Sequence, residues 1–285
     1  DEVLELAEST VTLGVNGSVI LFGQTGSGKT FTMEHLLPCA RERVQTACEQ
    51  LLASGWECEV TLTCVETYNG RVYDLLASED VRAKPKAFGH AGSTGSLRVR
   101  LDSAANSTAV FVDNAERKTI FPGDAEVFNN LIARATRRRA VGETLMNAKS
   151  SRSHAIYTLH IECAHNEKRL RRRGKLDLVD LAGSERPERS GVNGTRLKET
   201  AKVNNSLSEL RNVIRKLAAK GKPTYRNSML TKLLRPALSA GGKTLLIVNV
   251  SPTEESREET RGSLLFAQMS KEVELGKAKK NVGRA

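Results

Sequence analysis

One short segment near the start of the chain constrains its fold more than any other. Residues Gly23 to Thr30 read GQTGSGKT, which matches the Gly-x-x-x-x-Gly-Lys-[Ser/Thr] pattern of a phosphate-binding loop. The apolar run Ser18–Phe22 precedes this loop and a helical stretch follows it, which is the context that the motif requires. Because backbone N–H groups and a helix N-terminus together attract phosphate, the segment predicts a P-loop that binds a nucleoside triphosphate.

Each residue of the loop has an expected part in binding the nucleotide. Lys29 is predicted to contact the β- and γ-phosphates, and the Thr30 hydroxyl is predicted to ligate Mg²⁺. The glycines let the backbone curl around the phosphates. The residues predicted to bind the nucleotide are therefore Gly23, Gln24, Thr25, Gly26, Ser27, Gly28, Lys29 and Thr30.

Two later segments could complete a hydrolytic site. The apolar stretch Leu176–Val179 ends in Asp180, a carboxylate suited to holding the hydration shell of a metal ion, and Gly183 follows with an unobstructed N–H. Upstream, residues 147–154 read NAKSSRSH and contain three hydroxyls and an arginine. Taken alone, that serine-rich segment is more typical of a turn or a helix cap.

Strand-like and helix-like stretches alternate along the 285 residues, and no linker divides them. This pattern predicts one α/β domain with a central, mostly parallel β-sheet and helices on both faces. Apolar residues at 4-3-4-3 spacing predict one face of a helix; they are Val203, Leu207, Leu210, Ile214 and Leu217. A second helix is expected around residues 227–238.

The net charge of +11 favours a polyanionic partner, which could be nucleic acid, acidic lipid or an acidic protein surface. No apolar run approaches the roughly 18 residues needed to cross a bilayer, so an intracellular, soluble protein is expected. The five cysteines show no metal-ligand spacing and are interpreted as reduced core thiols. A basic cluster at residues 169–175 favours a charged hairpin loop, with a nuclear-localisation signal or nucleic-acid contact as alternatives.

Taken together and in this order, the three motifs resemble those of a kinesin motor domain. GQTGSGKT is similar to the kinesin P-loop, NAKSSRSH to its first switch, and LVDLAGSER to its second switch. The resemblance continues through ETYNGRVYDLL, VNNSLSELRNVI, YRNSMLTKLLRPAL and KTLLIVNVSP. It implies a P-loop NTPase of the kinesin motor fold over residues 1–276 that lacks its first strands, followed by a basic, disordered tail at 277–285. Without those strands, the segment Thr244–Val250 is expected to form an open sheet edge.

The resemblance also implies roles for individual residues. Ser151 would join Thr30 at Mg²⁺, and Asp180 would hold the metal through water. Ser150 would orient the attacking water, and the N–H of Gly183 would sense the γ-phosphate. An ion pair of Arg152 with Glu185 would close the switches, and Glu185 would pass a proton onward through a second water. Phe31 would pack beside the adenine of ATP.

Microtubules are the polyanionic partner that the resemblance implies, because the surface of tubulin is acidic. The residues expected to bind them are Arg186, Arg189, Lys198, Lys202, Lys216, Lys220, Lys222, Arg226, Lys232 and Arg235. A homodimer formed through a coiled coil outside this chain is expected, with no membrane or nucleic-acid partner. The expected location is the cytoplasm, on the microtubule cytoskeleton and its spindle.

The resemblance implies an ATP-dependent microtubule motor, a microtubule-stimulated ATPase with ATP and Mg²⁺ as cofactors. A non-motile, microtubule-binding protein with impaired ATPase activity is the alternative. A GTPase or nucleic-acid translocase is disfavoured, because no Asn-Lys-x-Asp motif occurs and aromatic residues make up only 4% of the chain.

Overall fold

The computed structural model of the chain describes residues 1–77, 96–102, 108–123, 125–140, 149–185 and 195–284, without the side chains of 140, 149–150 and 195–201. Its helices are α1 (Glu2–Thr12), α2 (Lys29–Leu52), α3 (Ala125–Ala140), α4 (Thr195–Ala218), α5 (Met229–Leu233) and α6 (Arg257–Lys271). Short 3₁₀ helices cover Lys149–Arg152 and Glu254–Ser256. Its strands are β1 (Asn16–Phe22), β2 (Glu57–Tyr68), β3 (Arg71–Asp74), β4 (Val99–Leu101), β5 (Val110–Val112), β6 (Lys118–Phe121), β7 (His154–His165), β8 (Leu170–Asp180), β9 (Gly242–Val248) and β10 (Val282–Arg284).

One mixed sheet dominates the fold, with strands in the order β3-β2-β7-β8-β1-β9. In addition, β6 pairs with β2, β10 pairs with β8, and β4 and β5 form a separate ribbon. Only the two pairs made by β1, with β8 and with β9, are parallel among the described strands. The α/β class is confirmed, but the expected mostly parallel pairing holds only around β1.

Short connections explain the antiparallel half of the sheet. Asn69 and Gly70 join β2 to β3, and both have positive φ angles, of 54° and 76°, as a two-residue hairpin turn requires. A four-residue turn, residues 166–169, joins β7 to β8. The basic cluster at 169–175 is therefore mostly strand rather than loop, because only Arg169 lies in the turn and the rest belongs to β8.

The two faces of the sheet carry separate apolar layers. Alternate side chains of β1 point to opposite sides: Val19 and Leu21 join one buried cluster, and Ile20 and Phe22 join the other. The first layer includes residues of α1, α2 and α3, and the second includes residues of α4, α5 and α6. Helices therefore cover both faces, as the sequence predicted.

The predicted apolar stripe lies on α4, where Val203, Leu207, Leu210 and Ile214 are buried. The second predicted helix is shorter than expected, since α5 spans only Met229–Leu233. A proline at position 236 explains this, because it cannot continue a helix. None of the helices described here combines the length and the apolar character needed to cross a bilayer.

The strand β9 closes one end of the sheet order, as expected, with β1 as its partner among the described strands. Its side chains are mostly half-buried, unlike those of β1.

The basic tail differs from the expectation of disorder. Val282–Arg284 forms β10 against residues 170–172 of β8. Asn281 anchors it, because its N–H and its side-chain amide both donate to the Gly14 carbonyl, each at 2.9 Å.

Candidate nucleotide site

The P-loop connects the buried strand β1 to the first turn of α2. Gly26 and Gly28 have φ angles of 79° and 89°, which side chains other than glycine rarely adopt. A Cβ atom at either position would meet nothing within 4 Å, so these glycines are required by the backbone rather than by crowding. Gly28 precedes the first residue of α2, and the positive end of that helix therefore lies at the loop.

Lys29 holds a buried positive charge at this loop. Its side chain is buried and its Nζ donates to the Gln24 carbonyl at 2.7 Å. Burial lowers the pKa of Lys29, although the nearby charges of Asp180 and Glu185 raise it. The described residues form no ion pair with Lys29, and a buried cation held by a neutral carbonyl is suited to binding an anion.

Asp180 and Thr30 supply oxygen atoms beside the loop. Asp180 is buried at the end of β8, and its Oδ2 accepts a hydrogen bond from Thr30 Oγ1 at 3.0 Å. Its Oδ1 is also buried and has no hydrogen-bond partner among the described residues. Hydroxyl and carboxylate oxygens are the ligands that Mg²⁺ prefers, directly or through water. The donor set therefore fits a magnesium ion.

The segment after Asp180 is bonded to the P-loop and to the 3₁₀ helix before β7. The N–H of Gly183 donates to the Ser151 carbonyl at 3.1 Å, and the N–H of Ser184 donates to the Gly23 carbonyl at 3.1 Å. A Cβ at position 183 would overlap Thr25 Oγ1 and the Glu185 carboxylate. Glycine at this position therefore permits a close approach between the two loops.

Glu185 contacts the P-loop rather than Arg152. Its Oε2 accepts from the Thr25 N–H at 2.8 Å, and its Oε1 accepts from the Thr25 hydroxyl. The ion pairs between described residues do not include one between Arg152 and Glu185. The predicted pair of Arg152 with Glu185 stays a prediction, as do the roles of Ser150 and Ser151, since the Ser150 side chain is outside the description.

Arg139 belongs to this site, although the sequence pattern did not assign this residue to any site. It lies near the end of α3 and is buried with Asp180, to which its Nη1 forms an ion pair. Its Nη2 donates to the Ser153 carbonyl at 3.1 Å. Burial alone would lower the pKa of Arg139, but the charge of Asp180 and further contacts raise it. A run of three arginines in the sequence could not show which of them pairs with Asp180.

His154 connects the second switch to α4. The N–H of Ala182 donates to His154 Nδ1 at 3.0 Å, so Nε2 carries the proton and donates to Ser206 Oγ at 2.8 Å. The Ser206 hydroxyl in turn donates to the Val203 carbonyl at 2.6 Å. Burial lowers the pKa of His154 to about 3, helped by the charges of Arg139 and Lys29. The neutral imidazole is thus a fixed link between the two segments.

Phe31 lies on the surface beside the P-loop. Its side chain is 66% exposed, and its ring lies 4.3 Å from that of His35. The position leaves its face accessible to a ligand. Contact with adenine stays a prediction.

The predicted basic surface is partly described. Lys202, Lys216, Lys220, Lys222 and Arg226 are exposed, and Lys232 and Arg235 are half-buried. A cleft of about 280 Å³ brings together Lys202, Arg226, Lys232 and Arg152. Arg186 and Arg189 lie outside the described residues, and Lys198 lies on α4 with its side chain outside the description.

The fold and this site define a P-loop nucleotide-binding protein: a central sheet between two helical layers, with the loop at the end of a buried parallel strand. More specifically, the chain matches the Kinesin motor domain family over residues 2–273, and it belongs to that family.

Relatives and solved structures agree with this assignment. Kinesin-like protein KIN-14M of Arabidopsis thaliana is 36% identical, over 99% of this chain and 38% of that protein. Protein claret segregational of Drosophila melanogaster is 36% identical over 94% of this chain and 36% of its own length. The motor domain of the kinesin-like protein Kar3 of Saccharomyces cerevisiae superposes with a TM-score of 0.78 at 32% identity, covering 95% of this chain and 78% of that one. A fast kinesin superposes with a TM-score of 0.82 at 30% identity, covering 98% of this chain and 76% of the chain in that structure. The chain thus spans under two fifths of these two curated relatives.

Proposed function

We propose that this chain binds ATP with Mg²⁺, hydrolyses the ATP, and couples hydrolysis to binding and movement along microtubules. The observation that carries the proposal is a continuous set of contacts from the P-loop to α4. Thr25 bonds to Glu185 in the second switch, and Ala182 of the same switch bonds through His154 to Ser206 of α4. A change at the phosphate site therefore reaches a helix that carries exposed lysines.

Binding of the triphosphate rests on the P-loop. The buried ammonium of Lys29 would attract the β- and γ-phosphates, and the loop N–H groups would donate to their oxygens. Magnesium would be held by Thr30 and Ser151, and by Asp180 through water, and would neutralise charge on the phosphates. Arg139 holds Asp180 by the ion pair described above, so the carboxylate stays oriented towards the loop.

Hydrolysis and signalling rest on the two switches. Ser150 would position the attacking water, and Glu185 would accept its proton through a second water. For this, Glu185 must leave Thr25, and an ion pair with Arg152 offers it a new partner. The N–H of Gly183, now donated to Ser151, would instead donate to the γ-phosphate. Positioning and charge stabilisation account for most catalysis of phosphoryl transfer, and these hydrogen bonds would supply part of both.

The microtubule-binding face would be the basic surface around α4 and α5. Positive charge there complements the acidic surface of tubulin, and the binding should weaken as salt screens it. The fast kinesin whose fold matches this chain is described in terms of an ATPase mechanism and interactions with microtubules. We also propose that the protein is located on the microtubule cytoskeleton, including the spindle, and that it forms a homodimer through segments outside this chain.

Steady-state ATP hydrolysis, measured with and without microtubules, tests the proposal. Microtubules should raise the rate, and Lys29→Ala should abolish nucleotide binding and turnover because it removes the buried cation. Lys216→Glu should raise the microtubule concentration needed for half-maximal stimulation. Lys168→Glu makes the same charge change in the β7–β8 turn, which lies at the opposite end of β8 from Asp180. This variant should leave the microtubule concentration for half-maximal stimulation unchanged.

Unchanged turnover on adding microtubules, with Lys29 intact, would contradict the motor. If microtubules bind under those conditions, the non-motile alternative with impaired ATPase activity is favoured. If Lys168→Glu weakens stimulation as much as Lys216→Glu does, the basic surface around α4 is not the specific contact.

A further inference from the structure

Three cysteines from distant parts of the chain meet in the first apolar layer. Cys48 lies on α2, Cys58 on β2 and Cys163 on β7. Their sulfur atoms all lie within 4.8 Å of one another. Cys58 and Cys163 are directly opposite each other on adjacent antiparallel strands, and the last turns of α2 bring Cys48 to the same point. Their positions in the sequence gave no sign of this cluster.

The spacing of the sulfurs is close to what a thiolate metal site needs. Zn–S bonds of about 2.3 Å in tetrahedral geometry separate two sulfurs by about 3.8 Å. Each pair of sulfurs here would therefore have to close by about 1 Å at most, which side-chain rotation provides. Cys48 and Cys163 are fully buried, and Cys58 is 9% exposed. An ion could therefore enter the cluster past Cys58, the least buried of the three cysteines.

The charges around the cluster favour a thiolate. Arg172 lies directly opposite Cys163 on the adjacent strand β8, so its positive charge is close to the cluster. The Arg172 guanidinium is fixed nearby, because it lies 4.0 Å from the centre of the Trp56 ring and donates to the Thr12 carbonyl at 2.7 Å. A fixed positive charge therefore lies beside the cluster, where it offsets the negative charge of thiolate ligands.

We propose that Cys48, Cys58 and Cys163 bind one thiophilic divalent cation of the Zn²⁺ class. Soft thiolates select such ions over Mg²⁺ and Ca²⁺. Three thiolates around a divalent ion leave a net charge of about −1, which the nearby Arg172 offsets, whereas a monovalent ion such as Cu⁺ would leave about −2. The fourth coordination position would face the partly open side at Cys58.

The site is separate from the nucleotide site and independent of the proposed function. Cys48 lies nineteen residues after Lys29 on α2, which is roughly 28 Å along a helix. A bound ion would tie the far end of α2 to β2 and β7. Because the ligands come from three elements that meet only in the folded chain, binding should stabilise the native state.

Titration of the whole chain with Cd²⁺ in a non-thiol reductant tests the site, because thiolate-to-metal charge transfer gives an ultraviolet band. We expect a band that saturates at one equivalent, no band with Mg²⁺, and displacement of Cd²⁺ by Zn²⁺. Cys58→Ser should weaken binding by more than about 10-fold. The controls are Cys64→Ser, at a buried position outside the cluster, and Cys39→Ser, at an exposed position. Both should bind like the parent.

Thermal unfolding gives a second readout that does not depend on absorbance. Zn²⁺ should raise the Tm of the parent and of Cys39→Ser, and a chelator should reverse the rise. Cys58→Ser should fold, because its side chain is the least buried of the three, and it should not show the increase in Tm with Zn²⁺. Absence of the band in the parent, or an equal band in Cys58→Ser, would show that the three cysteines only fill the core.

Discussion

His154 makes the stability of this domain sensitive to mild acid. The structure lowers the pKa of its imidazole from 6.5 to about 3, mainly through burial and then through the charges of Arg139 and Lys29. The folded chain therefore keeps His154 neutral at a pH where the unfolded chain protonates it. Stability from this group is complete above pH 6.5 and is lost as the pH falls from there towards 3.

The size of the effect follows from the shift. Each pH unit within this window costs about 1.4 kcal/mol, so a change from pH 7.5 to 5.0 should cost about 2 kcal/mol through His154 alone. His160, whose pKa is lowered to about 4 chiefly by burial, adds a similar loss. A comparison of variants is therefore needed to isolate His154.

Urea unfolding at pH 7.5 and 5.0 provides that comparison. His154→Gln cannot titrate and keeps an amide that can reach Ser206, so its loss between the two pH values should be about 2 kcal/mol smaller than that of the parent. His35→Gln changes an exposed histidine on α2 and should lose as much as the parent. An equal loss in the parent and in His154→Gln would refute the assignment of a neutral, buried His154.

Two further predictions concern the phosphate site. Asp180→Asn removes the carboxylate that pairs with the buried Arg139, and should lower the free energy of unfolding by about 3–5 kcal/mol; urea unfolding measures this, and Arg139→Met added to Asp180→Asn should restore part of the loss. A loss below about 1 kcal/mol would contradict a buried pair. Glu185→Ala should retain nucleotide binding but hydrolyse ATP much more slowly, whereas the exposed Glu167→Ala should match the parent. Turnover near the parental rate in Glu185→Ala would remove that residue from its proposed role.

The sequence allowed much of the nucleotide site to be predicted because its chemistry is local. Gly26, Gly28, Lys29 and Thr30 act through the backbone of one loop and the helix that follows it, so the motif states their geometry directly. The alternation of strand-like and helix-like stretches along the chain correctly predicted helical layers on both faces of the sheet. The spacing of apolar residues on α4 likewise predicted which face of that helix is buried.

Contacts between distant residues could not be predicted in this way. The burial of Arg139 against Asp180, the link from Ala182 through His154 to α4, and the meeting of Cys48, Cys58 and Cys163 all depend on which strands become neighbours. The pairing of β2 with β7 and of β7 with β8 sets those distances, and no spacing along the chain encodes them. The sequence by itself determined the family, the P-loop and the two-layered core, because these rest on local backbone chemistry and side-chain periodicity. Only the tertiary structure decided which charges are buried together and which thiols meet, because burial and proximity are properties of the packed chain.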